Sequence, residues 1–583
     1  MQKMKSNNRQ RIGVAAWRAV ALWFIPGMLL ASCSLSLAQE PGVGPGLWRI
    51  SPRIGVGATY SDNIRLAPSS EAEDDLVLQV EPGISINKRG GRLDLRLDYT
   101  AQGLFYTNNS DANAINNQLQ AFGTGKIFQN NLFLDAYGSI TQVPINTRER
   151  TDAGTLGAAG GTPASLSFFN NLDLGLPGAA ELFNPMGIFN NIALTDNQVT
   201  GYRFGASPYW RQNIRNWAEV FLRYRYDTIS YDNQDGNEDP QVEQQVNNAD
   251  SQIHTVEFNL TDGRELSQFK WDLKYFYQQQ QRDSQQVINA VNNGDDRREN
   301  VIGQLSYQLN KRWSLLAEGG YENNQVADFA NNRDGGYWGL GALWEPSRFI
   351  RFKALYGPDV NELAFNWNPT TRTSLELSRR NQDVGVDPGT RWRGLLNHRT
   401  RYTTWSAAYT DEVTNEQQLL GGGLLAVGPD GQPLPLDEQG QPILFEGPSG
   451  LSDQNFRRKR FEAGVTYRRG PTGLSFNAFT EDRQNPDLAS NENTHGAGAL
   501  WTWRFAPRTA SFVGAGWEHD DLGENELGEA QQNDYWVSVL GLAQVFSPDA
   551  GGLISYRYYK NDTDLAEQQF RENRFNIRFN MKF

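Results

Sequence analysis

Apolar and polar residues trade places at every second position along most of this chain. The last nine residues are the clearest case: Phe575, Ile577, Phe579, Met581 and Phe583 alternate with Asn576, Arg578, Asn580 and Lys582. Successive side chains of a strand point to opposite faces, so this segment is a strand with one apolar and one wet side. The same division recurs upstream. Leu93, Leu95, Leu97 and Tyr99 oppose Arg92, Asp94, Arg96 and Asp98. Val220, Leu222, Tyr224 and Tyr226 oppose Glu219, Arg223, Arg225 and Asp227. Trp271, Leu273, Tyr275 and Tyr277 oppose Lys270, Asp272 and Lys274, while Leu375 and Leu377 oppose Arg372 and Glu376. Almost nowhere does the 3.6-residue period of an amphipathic helix replace this alternation. The pattern predicts an all-β protein.

Turn signals separate the strands. Asn310-Lys311-Arg312, Pro346-Ser347-Arg348, Asn368-Pro369, Pro507-Arg508 and Pro548-Asp549 each follow a strand that closes on an aromatic residue or Leu. Pro and Asn fix such turns and cannot continue a ladder. These tight connections alternate with long polar ones, near 231–250, 281–297, 412–455 and 520–533. Short turns on one side, long loops on the other and aromatics beside the turns describe a transmembrane barrel. The expected fold is an up-and-down antiparallel β-barrel of about 24 strands, within one hairpin either way (22–26), with periplasmic turns and extracellular loops. A charge facing lipid near the bilayer midplane costs about 2–4 kcal/mol. Arg92, Asp94, Arg96, Asp98, Arg223, Arg225, Asp227, Lys270, Asp272, Lys274, Arg372 and Glu376 are therefore expected to line a wet lumen.

The start of the chain fixes the route. Lys3, Lys5, Arg9 and Arg11 precede an apolar run from Ala19 to Ala31, and Ser36-Leu37-Ala38 offers a small-residue cleavage site. Residues 1–38 read as a signal peptide, 39–47 as a short lead and 48–583 as the barrel. Leu30-Ala31-Ser32-Cys33 also fits a lipobox, which would lipidate Cys33, the only cysteine. Cleavage after Ala38 would leave no thiol for disulfide or catalytic chemistry. The lead is too short for a plug domain, so one domain with an open or loop-constricted lumen is expected.

Composition agrees with this picture. The 583 residues are 12% aromatic and include 57 glycines, with a mean hydropathy of -0.60. The net charge of -13 is not the footprint of a nucleic-acid binder. His254, His398, His495 and His519 are scattered without metal-ligand spacing, and no nucleophile elbow, P-loop or calcium repeat occurs. His519-Asp520-Asp521 lacks a second carboxylate cluster beside it. No enzyme activity, metal or cofactor is expected.

Two insertions are more apolar than solvated loops. Residues 144–197 contain Leu166, Phe168, Phe169, Leu172, Leu174, Leu176, Leu182, Phe183, Met186 and Phe189, and 414–455 contain Leu419–Leu425 and Ile443–Phe445. At least one is expected to fold into the lumen or over its mouth; a loop capped by its own cluster or touching lipopolysaccharide is the alternative.

The segment Trp48-Arg49-Ile50-Ser51-Pro52-Arg53-Ile54-Gly55-Val56, followed by Thr59-Tyr60-Ser61-Asp62-Asn63-Ile64 and Val80-Glu81-Pro82-Gly83-Ile84, carries a family likeness. With Leu95–Tyr99 and Leu132-Phe133-Leu134-Asp135-Ala136 it resembles the large β-barrel porins associated with exopolysaccharide and PEP-CTERM loci, most clearly over 48–143. Phe575–Phe583 likewise resembles the closing strand of bacterial outer-membrane barrels, whose terminal Phe is read by the assembly machinery. The resemblance implies an outer-membrane location with a periplasmic C-terminus. It also implies a role in export of an extracellular polysaccharide, and lipopolysaccharide, the assembly machinery and periplasmic export components as partners. A general porin for small solutes, or a closed barrel serving as scaffold or receptor, remain as alternatives. Aromatic or Asn/Gln rungs along the lumen would mark the polysaccharide conduit, and segregated charge at an eyelet the general porin.

Overall fold

A computed structural model describes residues 48–583 apart from 89, 129–130, 144–173, 177–181, 184–191, 196, 233–249, 264–267, 283–295, 327–331, 416–454, 485–490 and 525–529. Residues 1–47, with the expected signal peptide, the lead and Cys33, and most of the 414–455 insertion lie outside the described residues. In chain order the strands are β1 (Trp48–Ser61), β2 (Asp75–Lys88), β3 (Leu93–Tyr106), β4 (Ala114–Phe128), β5 (Leu132–Val143), β6 (Val199–Ile214), β7 (Ala218–Asp232) and β8 (Ser251–Asp262). Then come β9 (Phe269–Arg282), β10 (Asp296–Gln308), β11 (Trp313–Gln325), β12 (Gly335–Ser347), β13 (Ile350–Tyr356), β14 (Val360–Thr370), β15 (Thr373–Gln382) and β16 (Gly389–Arg399). The series ends with β17 (Thr403–Asn415), β18 (Asn455–Arg469), β19 (Thr472–Gln484), β20 (Asn491–Ala506), β21 (Thr509–Glu524), β22 (Ala530–Ser547), β23 (Ala550–Thr563) and β24 (Phe570–Lys582).

Each strand pairs antiparallel with the next, and β24 returns to pair with β1, so all 24 form one closed sheet. Closure removes both edges and satisfies the backbone within the wall, the condition for crossing a bilayer. The outer face is apolar and open to the surroundings. Leu76, Leu78 and Val80 lie there on β2, Leu540 and Leu542 on β22, and Phe575, Ile577 and Phe579 on β24, with Ile577 60% exposed. At the short-turn end, rings join across the outer face: Trp313 and Trp344 at 5.7 Å, Trp344 and Phe352 at 5.4 Å, Phe352 and Phe365 at 4.7 Å. An apolar band edged by aromatics on a closed barrel is the surface of a membrane-spanning protein.

The seam between β1 and β24 is locked at its long-loop end by the Ser61-Asp62-Asn63 turn. Ser61 Oγ donates to Glu572 Oε1 at 2.6 Å, and Asp62 accepts from the Asn573 backbone and side-chain amides at 2.7 and 2.6 Å. Asn63 donates to the carbonyls of Ala67 and Arg571 and accepts from the Ala67 amide. At the other end the Phe583 amide donates to the Pro52 carbonyl at 2.8 Å. Asn63 is buried, so Asn63→Ala leaves several backbone groups unmatched and should cost about 1–3 kcal/mol. A lowered urea midpoint in lipid vesicles is the expected result; an unchanged one means the turn does not hold the seam.

Candidate functional site: the barrel lumen

The inner face is identified by side chains that bridge non-adjacent strands, which only a concave surface allows. Arg53 on β1 reaches Thr100 on β3 at 2.6 Å, Tyr137 on β5 donates to Asp227 on β7 at 2.5 Å, and Arg380 on β15 pairs with Glu318 on β11 at 2.7 Å. Arg96, Asp98, Arg223, Arg225, Asp227, Asp272, Lys274 and Glu376 stand on the strand positions in register with this face. Lys270 follows the same phase near the mouth of β9, and Asp94 near that of β3. Arg92 and Arg372 are placed otherwise: each precedes its strand and sits in a short turn, Arg92 before Leu93 and Arg372 before Thr373. Both are exposed at the short-turn rim, not on a strand of the lumen wall as expected. Their carbonyls still accept from the Lys126 and Arg399 amides at the end of the ladder, and alternation alone does not say where a strand begins. Phe575, Ile577, Phe579 and Met581 occupy the opposite, outward phase of β24.

The inward charges are neutralised in groups. Glu572 holds Arg557 and Arg574, both at 2.7 Å, and Glu481 holds Arg458 and Arg460 at 2.9 Å and Arg483 at 2.6 Å. Glu318, Lys353, Glu362 and Arg380 form a four-member chain across β11, β13, β14 and β15, with Gln304 of β10 donating to Glu318 at 2.8 Å. Arg203 pairs with Asp227 at 2.9 Å, Arg225 with Glu257 at 3.0 Å and Arg223 with Asp135 at 3.6 Å. Arg578 pairs with Glu81 across the seam. Such mixing binds the wall together, with charges of both signs interleaved in the pairs named rather than segregated.

Between these groups the inner wall carries amides and rings. Gln102, Asn116, Gln118 and Gln120 share the inward phase of β3 and β4, and Asn259, Gln278, Asn300 and Gln304 that of β8, β9 and β10. Phe122 stands opposite Arg96 on one side and Tyr137 on the other, on the same phase and exposed. Nearer the short-turn end Phe133 stacks on Tyr209 at 4.8 Å and 8°, and the Arg223 guanidinium lies 4.7 Å from the Tyr209 ring.

One arc of the wall differs. The inward residues of β22, namely Tyr535, Val537, Val539, Ala543 and Val545, are apolar and buried, and Phe512 of β21 and Leu553 of β23 extend the patch. Leu174, Leu176, Leu182, Phe183 and Ala193 of the 144–197 insertion belong to this cluster. Their positions run the height of the barrel. At the short-turn end Arg504 donates to the Gly175 carbonyl at 2.8 Å. A Cβ on Gly551 would lie 2.7 Å from the Phe183 ring, so the glycine is what admits it. At the long-loop end the Leu194 amide donates to the Ile64 carbonyl at 2.8 Å and Tyr106 Oη to the Ile192 carbonyl at 2.9 Å. The described pieces of the insertion, 174–176, 182–183 and 192–194, thus form an internal strap against the inner wall, as the first of the two alternatives expected. Across the same end Arg298 of β10 reaches Asn455 of β18 at 3.1 Å and the Val413 carbonyl of β17 at 3.3 Å, linking parts of the wall that are far apart in the ring.

Sequence reasoning missed the inner apolar arc, although the run Tyr535-Trp536-Val537-Ser538-Val539-Leu540 breaks the polar/apolar alternation and signals burial on both faces. It also missed Glu318, Glu481 and Glu572 as charge hubs, since each draws at least one partner from another strand. No cluster of potential metal ligands occurs among the described residues. His519 sits beside Asp534 at 3.1 Å and 5.4 Å from the His495 ring.

Fold and lumen together define a closed transmembrane β-barrel with an internal strap. A family model described as a protein of unknown function, DUF481, matches residues 244–418, the span from β8 to β17. No curated protein matches the sequence. Solved structures of similar shape include the siderophore receptor PirA from Acinetobacter baumannii, at 8% identity over 91% of this chain and 80% of that one, TM-score 0.44. The ferric-catecholate import receptor Fiu from E. coli K12 aligns at 10% identity over 94% and 82%, TM-score 0.44. The FrpB iron transporter from Neisseria meningitidis aligns at 10% over 93% and 83%, TM-score 0.41. At such identities and scores the likeness is one of barrel shape alone.

Proposed function

We propose that this chain is a non-enzymatic outer-membrane conduit, with its short turns and C-terminus in the periplasm and its long loops outside, that supports export of an extracellular polysaccharide. The observation that carries this reading is the amide- and ring-bearing inner wall of β3, β4 and β8–β10. Amides exchange hydrogen bonds with sugar hydroxyls without holding them as tightly as charges do, and an exposed ring such as Phe122 offers a face to sugar C–H groups. The assembly machinery reads β24, and lipopolysaccharide surrounds the outer rim. Periplasmic export components would meet the short-turn mouth. No nucleic acid is involved. A second reading, a closed barrel acting as receptor or scaffold through its loops, is favoured by the strap.

Liposome swelling tests both. Purified barrel should pass neutral oligosaccharides, and Phe122→Ala should slow their entry several-fold while leaving a glycerol-sized solute unaffected. Passage of neither class would favour the closed scaffold. Equal slowing of both would show that Phe122 shapes the pore without recognising sugar.

A further inference from the structure

The wall is not equally tall all round. β20, β21 and β22 have 16, 16 and 18 residues, whereas β13, β14, β15 and β16 have 7, 11, 10 and 11. The shortfall lies at the long-loop end, where β13 and β14 are joined by a three-residue turn at 357–359. The outer face of this low section ends in rings, with Tyr356 78% and Trp392 50% exposed. On β22, outward Trp536 and Phe546 are ten residues apart, about 34 Å along the strand and about 25 Å along the bilayer normal at an ordinary tilt. On β16, Trp392 is six residues from His398, which pairs with Trp405 of the short-turn girdle. That separation is about 20 Å along the strand and about 15 Å along the normal.

A cation marks the same level. Arg379 shares the outward phase of Leu377 on β15, opposite Trp392, and its guanidinium lies 5.8 Å from that ring. Among the described residues it has no ion-pair or hydrogen-bond partner. At the short-turn end the equivalent pairing recurs where the girdle meets water: Lys88 over Trp48 at 4.7 Å, Arg348 over Phe349 at 4.6 Å, Arg401 over Tyr402 at 5.1 Å and Arg469 over Tyr402 at 5.4 Å. An outward cation stacked on a girdle ring therefore tracks the headgroup plane of this barrel. A charge left facing hydrocarbon would be strongly unfavourable, and falls to little cost at the interface.

We infer that the outer face of β13–β16 thins the adjoining leaflet and seats one phosphate-bearing glycolipid of that leaflet, its phosphate on Arg379 and its sugar ring against Trp392 and Tyr356. Thinning is the ordinary response to a short hydrophobic span, and it brings headgroups down to a guanidinium that has no counter-ion among the described residues. That the lipid is the glycolipid of the outer leaflet rests on the orientation proposed above; the Arg379 site itself does not.

Native mass spectrometry of the full barrel titrated with lipid A reads the site directly. Wild type should retain one tight adduct, and Arg379→Gln should weaken it roughly tenfold or more, as expected for losing a charge-assisted phosphate bond. Arg348→Gln, at the opposite girdle, should leave it unchanged, and both variants should keep the heat-modifiable mobility of a folded barrel. Dephosphorylated lipid A should bind as weakly to wild type as lipid A does to Arg379→Gln. An adduct indifferent to Arg379 overturns the site. An Arg379-dependent adduct with phosphatidylglycerol but not with lipid A overturns the glycolipid assignment. A protease tag at residue 430 that is shielded on intact cells overturns the orientation alone.

Discussion

Deleting residues 150–190 is expected to raise single-channel conductance several-fold in planar bilayers. Barrels of 16 to 18 strands already leave an aqueous channel, and still wider ones conduct unless something fills them. Here the strap takes up part of the lumen, its Leu174, Leu176, Leu182 and Phe183 covering the inner face of β21–β23. The deletion removes these residues but keeps Ile192 and Leu194, which are bonded to Tyr106 and Ile64, so the long-loop anchorage survives. Uncovering Val537, Val539 and Val545 returns apolar surface to water at about 1.5–3 kcal/mol for each large side chain. The variant should therefore be both leakier and less stable. Phe183→Asp, which loosens only the short-turn end beside Gly551, should give a smaller rise with flickering between levels. Conductance equal to wild type in both variants would mean that the strap does not obstruct the pathway.

Glu572→Ala should strongly destabilise the wall. The side chain is 0% exposed and accepts from Ser61 Oγ at 2.6 Å, Arg557 Nη2 at 2.7 Å and Arg574 Nε at 2.8 Å. Its removal leaves two buried guanidinium groups facing one another, and breaking such a pair from one side costs about 3–5 kcal/mol. The loss falls on the seam, because Ser61 belongs to β1 and the two arginines to β23 and β24. A fall in urea midpoint together with a smaller fraction of heat-modifiable folded protein is expected. Replacing Arg557 by Met in the same chain should recover part of the loss, since one guanidinium fewer then faces the vacated carboxylate position. Stability unaffected by Glu572→Ala would contradict its role as the hub.

Much of the wall was legible in the sequence. A period of two named strands, Pro and Asn named turns, and the crowded stretch from 357 to 412 still resolved into β14–β17. The terminal Phe575–Phe583 alternation placed its rings outward for the same reason. The lumen was less legible. Its hubs join residues far apart in the chain, such as Ser61 with Glu572 or Arg298 with Asn455, and alternation carries no information about which polar residue meets which. The apolar character of 144–197 signalled that it must hide from water, without saying where.

The sequence by itself determined the strands, their two faces and the crossing of a membrane, because side-chain alternation is a local property of extended backbone and hairpin partners are neighbours in the chain. Only the tertiary structure decided that the ring closes at 24 strands, that the described pieces of the insertion lie against its inner wall, and that the wall is low along β13–β16. Those outcomes depend on how all the strands together set one circumference and one height, which no single segment encodes.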